Sequence, residues 1–430
     1  MQLQVISERG WMGAAILGLT AATALLAQQP GYNQIYSFGT ANVGLTGLTG
    51  TGNTLYGATR TGGTNGMGSV YALTLPATAG ESWTYTTLYN FGSHAEDGIY
   101  PWGVSVGGSS AGMPVLYGTT EDGGEHGKGS VFCLVPPSAP GGEWAEHVLY
   151  SFSGPDGLLP LAPLVVDYRA GELPVLYGTT GAGGASYGVS GTDGVGAIFS
   201  LTPPATGLGA WTESVLYSFV FAGPASDPNN VVLGRGPCGA PVLYGFALIG
   251  GTLDGGQIFS LTESGGTWTY NDIYDPPPSV VISSPTGLTI GSDGVLYGTL
   301  EPGPNPDGGD NGGQVYSLTP PTSPGGAWTV NTLYTFGAFE EDGSGPHGVI
   351  MASNGTLYGT TANGGDVIGT VYSLTPPASP GGTWTENQLY RFSGDTGAPT
   401  NLVIGPHGAL YGTTGYFGTG SVAAVYAIER

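Results

Sequence analysis

The sequence predicts an all-β fold: a single seven-bladed β-propeller of four-stranded antiparallel blades, closed by an N-terminal strand that completes the last blade. Three observations predict it. The word Leu-Tyr-Gly recurs seven times, at Leu55, Leu116, Leu176, Leu243, Leu296, Leu357 and Leu410, in steps of 53 to 67 residues. Each repeat holds four short runs of β-branched and aromatic residues bounded by Gly, Pro, Asp and Asn, which read as strands. The phase is the third. The chain opens on a lone fourth strand and ends after a first, second and third.

The third copy shows the four strands, a to d, in order. Leu164-Val165-Val166 is strand a, and Val175-Leu176-Tyr177-Gly178-Thr179-Thr180 is strand b. Strand c is Ala197-Ile198-Phe199-Ser200-Leu201-Thr202, and Pro203-Pro204 opens the turn to strand d at Trp211–Phe219. No segment longer than about ten residues after the leader carries a helical period. Strand d is marked by Trp83, Trp144, Trp211, Trp268, Trp328 and Trp384, one fewer than the Leu-Tyr-Gly copies. These are expected to pack between blades. The missing strand d is Gln34-Ile35-Tyr36-Ser37-Phe38, whose ending matches Leu149-Tyr150-Ser151-Phe152. It is expected beside Ala423–Ile428, which removes an open edge. A solenoid of stacked repeats would need atypical polar caps at both ends, and none is visible. Asp293-Gly294, Asn354-Gly355 and His407-Gly408, just before their Leu-Tyr-Gly words, carry the hairpin chemistry of type I′ turns.

Composition agrees. The 82 glycines and 33 prolines would suggest low complexity without a period, but with one they read as turn chemistry. Seven basic residues against 30 acidic ones give a net charge of −23, which excludes nucleic acid and anionic membrane surfaces as partners. Residues 1–29 read as a signal peptide, with Arg9 before an apolar run from Trp11 to Ala27 and small residues at Ala22, Ala24 and Ala27. A single-pass N-terminal anchor is the rival reading. Residues 30–430 are the propeller, expected as a monomer that is secreted, periplasmic or at the cell surface. Cys133 and Cys238 lie about a hundred residues apart with no metal-like spacing, and nothing demands a disulfide.

The words Leu-Tyr-Gly-Thr-Thr, Gly-Gly, Gly-x-Val-Tyr-Ser-Leu-Thr-Pro, Gly-Gly-x-Trp-Thr and Leu-Tyr-x-Phe, in fixed order, resemble the Gloeo-Verruco (GloVer) tandem repeat of bacterial exported proteins. Residues 357–392 and 176–219 match best, and the resemblance covers nearly all of 31–430. It implies an exported propeller-like protein, often with a C-terminal surface anchor, and no established activity. This chain departs from the pattern by ending at Arg430 with no anchor segment, by Phe246 after the fourth Leu-Tyr-Gly, and by losing Gly-Gly after Leu300. The first departure favours a freely secreted or periplasmic protein.

In four-stranded blades the b-to-c and d-to-a loops share one face. Most acidic residues of this chain fall in those loops. Segments entering strand a on that face reach the mouth of the central channel, so Trp102, Asn229, Asn230, His347 and Asn401 are expected to converge there, with Asp97 and Asp342 nearby. Trp stacks on sugar rings and Asn bonds their hydroxyls. Asp307 and Asp310, then Glu121, Asp122 and Glu125, are candidate calcium ligands in oxygen-rich loops, although neither loop fits the twelve-residue helix-flanked pattern. His94, His126 and His147 have no spacing that suggests zinc. Gly-x-Ser-x-Gly and His-Glu-x-x-His are absent from the sequence. The leading expectation is a non-enzymatic exported propeller that binds a glycan, another surface polymer or a protein through an acidic loop face. The alternative is a polysaccharide- or lactone-directed hydrolase or lyase with acidic residues at the channel mouth.

Overall fold

The computed structural model describes residues 31–429 except 40–42, 79, 111, 140, 169–172, 206–209, 222, 224, 237–238, 252–254, 277–281, 303–311, 324, 338–341, 365–367, 380, 393–397 and 416–421. The leader expected at 1–29, Cys238, and the candidate ligands Asp307 and Asp310 lie outside the described residues.

The chain is a ring of seven four-stranded antiparallel sheets. Blades 1 to 6 run in sequence through Thr49–Asn90, Gly98–Ser151, Val165–Ser218, Ala225–Tyr274, Ile282–Thr335 and Ser344–Arg391. Blade 7 takes its inner three strands from Pro399–Ile404, Leu410–Thr414 and Ala423–Ile428, and its outer strand from Tyr32–Gly39. The closing register pairs Tyr32 with Ile428, Gln34 with Tyr426 and Ser37 with Ala424. Among the described residues, helix is confined to short 3-10 turns such as Gly184–Ser186 and Pro406–Gly408, and no helix is long and apolar enough to cross a membrane.

The packing explains the repeated words. The strand-c aromatic of each blade lies over the glycine of Leu-Tyr-Gly on strand b. A Cβ at Gly178 would sit 2.5 Å from Phe199 Cζ, and one at Gly245 would sit 2.5 Å from Phe259 Cζ. Tyr71, Phe132, Tyr316, Tyr372 and Tyr426 cover the other five glycines in the same way. Any side chain there would have to displace a fully buried ring. The apolar clusters lie between blades. Tyr177 and Ile198 of blade 3 pack with Leu243, Phe259 and Leu261 of blade 4, and Leu55 and Tyr71 of blade 1 pack with Tyr411 and Val425 of blade 7.

Five of the six strand-d tryptophans make a ring contact across such a boundary, and Trp144 packs against the cluster of Tyr56 and Leu116. Trp83 meets Tyr411, Trp211 meets Tyr117, Trp268 meets Tyr177, Trp328 meets Tyr244 and Trp384 meets Tyr297, with ring centroids 5.6 to 6.3 Å apart. The partner is always the tyrosine of the preceding blade's Leu-Tyr-Gly. The tryptophans are half-buried rather than sealed, because they sit at the outer strand beside the c-to-d turn.

The threonine after Leu-Tyr-Gly ties the ring at its inner end. Thr119 Oγ1 donates to the Ala162 carbonyl (3.0 Å), Thr179 Oγ1 to Asn229 (2.9 Å), Thr360 Oγ1 to Thr400 (3.1 Å) and Thr413 Oγ1 to Thr46 (3.4 Å). Every acceptor lies in the innermost segment of the next blade. At the blade 5–6 boundary Thr286 makes the equivalent bond to the Pro346 carbonyl at 2.7 Å. These bonds hold the backbone that carries the channel-mouth side chains.

The hairpin turns differ from the type I′ expectation. Gly294 and Gly355 have positive φ, but Asp293 and Asn354 do not. Their side chains instead accept the N–H two residues on, at Val295 and Thr356. The result is a wider turn with one left-handed glycine. Only His407-Gly408 has positive φ at both residues.

Candidate functional site

A cavity of about 560 Å³ opens at the channel mouth, on the face of the strand-a entrances. All seven blades line it. Trp102, Asn229, Asn230, His347 and Asn401 are all in its wall, together with Thr46, Thr286, Glu301 and Thr400. The five residues come from blades 2, 4, 6 and 7, so the ring brings together side chains almost 300 positions apart in sequence. A larger depression of about 900 Å³ lies on the opposite face, at the seam between blades 7 and 1, and is lined by Trp83, His407 and Tyr411. It draws on two blades, whereas the mouth draws on the whole ring.

Trp102 is held in a defined orientation. Its Nε1 donates to Glu121 Oε2 at 3.0 Å, and the Arg60 guanidinium lies 5.5 Å from its ring centroid. Arg60 also pairs with Glu121 and stacks 5.7 Å from Tyr100, whose φ of 61° turns the chain there. Glu121 is therefore committed to an arginine and an indole. Asp122 is raised from its ordinary value by burial and then by the charge of Glu121. Glu125 is exposed. Among the described residues, the carboxylates of Glu121, Asp122 and Glu125 do not come close enough to share an ion, and Glu121 is engaged by Arg60.

His347 is a largely buried polar group of the cavity wall. Burial holds its imidazole below the ordinary value, against the charge of Glu301 and a hydrogen bond to the Pro399 backbone. Its Nδ1 is buried and has no hydrogen-bond partner. The ring is neutral at pH 7, with Nδ1 sealed beneath the cavity surface. Beside it, the inner strands of blades 5 and 6 touch: a Cβ at Gly287 would fall 2.3 Å from Gly348 Cα.

Asp97 and Asp342 lie away from this wall. Both are buried, at 3% and 6% exposure, and both hold d-to-a turns. Asp97 Oδ2 accepts from Tyr89 Oη (2.9 Å) and Ser93 N (2.8 Å). Asp342 accepts from Tyr334 Oη and from the N–H groups of Gly337 and Gly343. Asp156 does the same work with Tyr150 and Ser153. Loop carboxylates that look free in sequence are turned inward because the chain reversal offers unpaired backbone donors.

Each of these three aspartates faces a glutamate on strand d of the next blade. Burial, then the charge of Asp97, Asp156 or Asp342, pushes Glu146, Glu213 and Glu386 up to about 7. The signal was present as Trp-x-Glu, at Trp144–Glu146, Trp211–Glu213 and Trp384–Glu386. Two other blades read Trp-x-Tyr, and there Tyr85 stacks on Tyr36 and Tyr270 on Tyr217, at 4.4 and 4.5 Å.

A family model described as the Gloeobacter/Verrucomicrobia repeat matches residues 25–236 and again 239–430. No curated protein sequence matches the chain. Among solved structures, a puromycin hydrolase mutant complexed with PGG superposes with a TM-score of 0.52 at 13% identity, over 87% of this chain and 50% of that one. The chain thus spans about half the length of that hydrolase. The β-propeller domain of Cps50 (Swd1) from Myceliophteria thermophila gives 0.50 at 11% identity, over 93% of this chain and 100% of that one. An α-L-arabinanase from Penicillium chrysogenum complexed with arabinobiose gives 0.44 at 14% identity, over 74% of this chain and 90% of that one. At these identities the likenesses show the fold alone.

Proposed function

Because the chain belongs to the Gloeobacter/Verrucomicrobia repeat family, we propose that it is an exported binding propeller whose channel mouth takes a neutral, hydroxyl-rich ligand, a glycan or another surface polymer. The observation that carries this reading is the cavity wall. It combines an indole fixed between Arg60 and Glu121, three asparagine side chains, and the ring of a neutral, largely buried His347. Flat apolar surface beside amide hydrogen-bonding groups is what a sugar ring requires. The net charge of −23 disfavours an anionic polymer. Export rests on the leader-like residues 1–29.

A hydrolytic reading has less support at this site. Among the described wall residues Glu301 is the one carboxylate, whereas most glycoside hydrolases place two carboxyl groups about 5 to 9.5 Å apart across the scissile bond.

The test is a glycan array on the purified protein, followed by calorimetry on the best binder with Trp102→Ala and Asn401→Ala. Each substitution is expected to weaken binding about tenfold or more, the loss of one stacking or paired hydrogen-bond contact. Glu81→Ala, on the opposite face, should leave the affinity unchanged. No binder on the array, or equal losses in all three variants, would remove the reading.

A further inference from the structure

We propose that His94, Asp97 and Glu146 form a divalent transition-metal site at the boundary of blades 1 and 2, away from the channel mouth. His94 and Asp97 come from the loop that joins the two blades, and Glu146 comes from strand d of blade 2. One ligand atom from each lies within 4.8 Å of the other two, and His94 Nε2 is 3.7 Å from Glu146 Oε2.

The other two aspartate–glutamate boundaries serve as internal comparisons. Asp156 uses both oxygens: Oδ2 accepts from Tyr150, and Oδ1 accepts from Ser153 N, Ser153 Oγ and Gly154 N at 2.9 to 3.0 Å. Asp97 places every hydrogen bond on Oδ2, from Tyr89, Ser93 N and Ser93 Oγ. Its Oδ1 is sealed from solvent with no partner; Glu146 Oε1 is unpartnered too, as is Glu213 Oε1 at the next boundary, so the open oxygen of Asp97 is what sets this boundary apart. Both side chains are at least nine-tenths buried. A buried carboxylate oxygen without a partner costs about 1–3 kcal/mol, and at this boundary the loop adds an imidazole. His94 is half-exposed and sits in a loop, so its ring can move to close on the two carboxylates. One nitrogen and two carboxylates suit zinc and its first-row neighbours, with solvent completing the shell. Calcium prefers more oxygen ligands and no imidazole.

Binding here ties the loop to the outer strand of the next blade.

The experiment uses the full chain, stripped with chelator and held at fixed ionic strength and pH 7.5. Zinc, then cobalt, is titrated by calorimetry and by the visible cobalt spectrum, and melting is measured with and without metal. The expected result is one ion per chain, a tetrahedral-type cobalt band and a higher melting temperature. His94→Ala should weaken binding on the order of tenfold or more and abolish the band. Glu213→Gln removes the matching carboxylate at the next boundary and should change nothing. No stoichiometric binding, an unaltered response in His94→Ala, or equal loss in Glu213→Gln would each overturn the proposal. Glycan binding at the channel mouth stands or falls separately, since it is read with other residues and without metal.

Discussion

Replacing Tyr71 with phenylalanine is expected to stabilise the protein. Tyr71, Tyr316, Tyr372 and Tyr426 are fully buried, and each lies over a Leu-Tyr-Gly glycine. Their four hydroxyls are sealed from solvent with no hydrogen-bond partner. Burial raises all four well above the ordinary tyrosine value, so the groups removed are neutral. Blades 2, 3 and 4 already carry Phe132, Phe199 and Phe259 at the same place. An unmade hydrogen bond at a buried polar atom costs about 1–3 kcal/mol. Deleting the oxygen forfeits several dispersion contacts of about 0.1–0.2 kcal/mol each. The balance favours phenylalanine by about 1 kcal/mol per site. The four positions belong to different blades, so the quadruple variant should gain about 4 kcal/mol. Urea unfolding with an unchanged m-value measures it, supported by calorimetric melting. Destabilisation by about 1 kcal/mol at any of the four sites would refute the reasoning, because it would mean the hydroxyl has a partner. The reverse change, Phe199→Tyr, must destabilise for the same account to hold.

Two further outcomes are expected. Glu146, Glu213 and Glu386 hold their protons up to about pH 7 when folded and release them in the ordinary carboxylate range when unfolded. The folded chain thus binds extra protons across that window, and stability falls as pH rises through it, by about 1 kcal/mol per group once solvent screening is allowed for. Melting of chelator-treated protein at pH 5 and pH 8 checks this, and the triple Gln variant should have a flatter profile; an unchanged slope would assign the effect to other groups. Deleting residues 31–38 strips the outer strand from blade 7 and leaves the edge of Ala423–Ile428 unpaired. It should lower stability by several kcal/mol, about half a typical domain's margin, and a truncated chain that melts like the full one would refute ring closure.

Much of the fold was legible because it is repeated. Leu-Tyr-Gly and the strand-c aromatic are coupled by contact, so each predicts the other in every blade. The phase of the copies alone located the closing strand at Gln34–Phe38. The channel mouth was legible for a related reason: topology places every strand-a entrance there, and Trp102, Asn229, Asn230, His347 and Asn401 followed. What escaped depends on contacts between blades. Glu121 looks free in its loop, and only the ring brings Arg60 to it. Asp97 and Asp342 look exposed, yet the tyrosine of the preceding strand d turns them inward. His94 has Asp97 three residues on but no third ligand nearby in sequence, because Glu146 lies on the far side of the next blade's first three strands. Side-chain placement within a blade follows from local pattern. Pairing across a boundary depends on how two blades twist against each other.

The closing strand also sets a timetable. Tyr32–Gly39 emerges from the ribosome first among the described strands, and its partner Ala423–Ile428 emerges last. Blades 1 to 6 can each pair their own strands as they appear, but the first strand must wait for nearly the whole chain to be made. Until then two hydrogen-bonding edges stay open, which are the places where a second chain can insert. Closing blade 7 is therefore the last pairing open to the ring, and a chain cut short before Ala423 lacks the partner of its first strand.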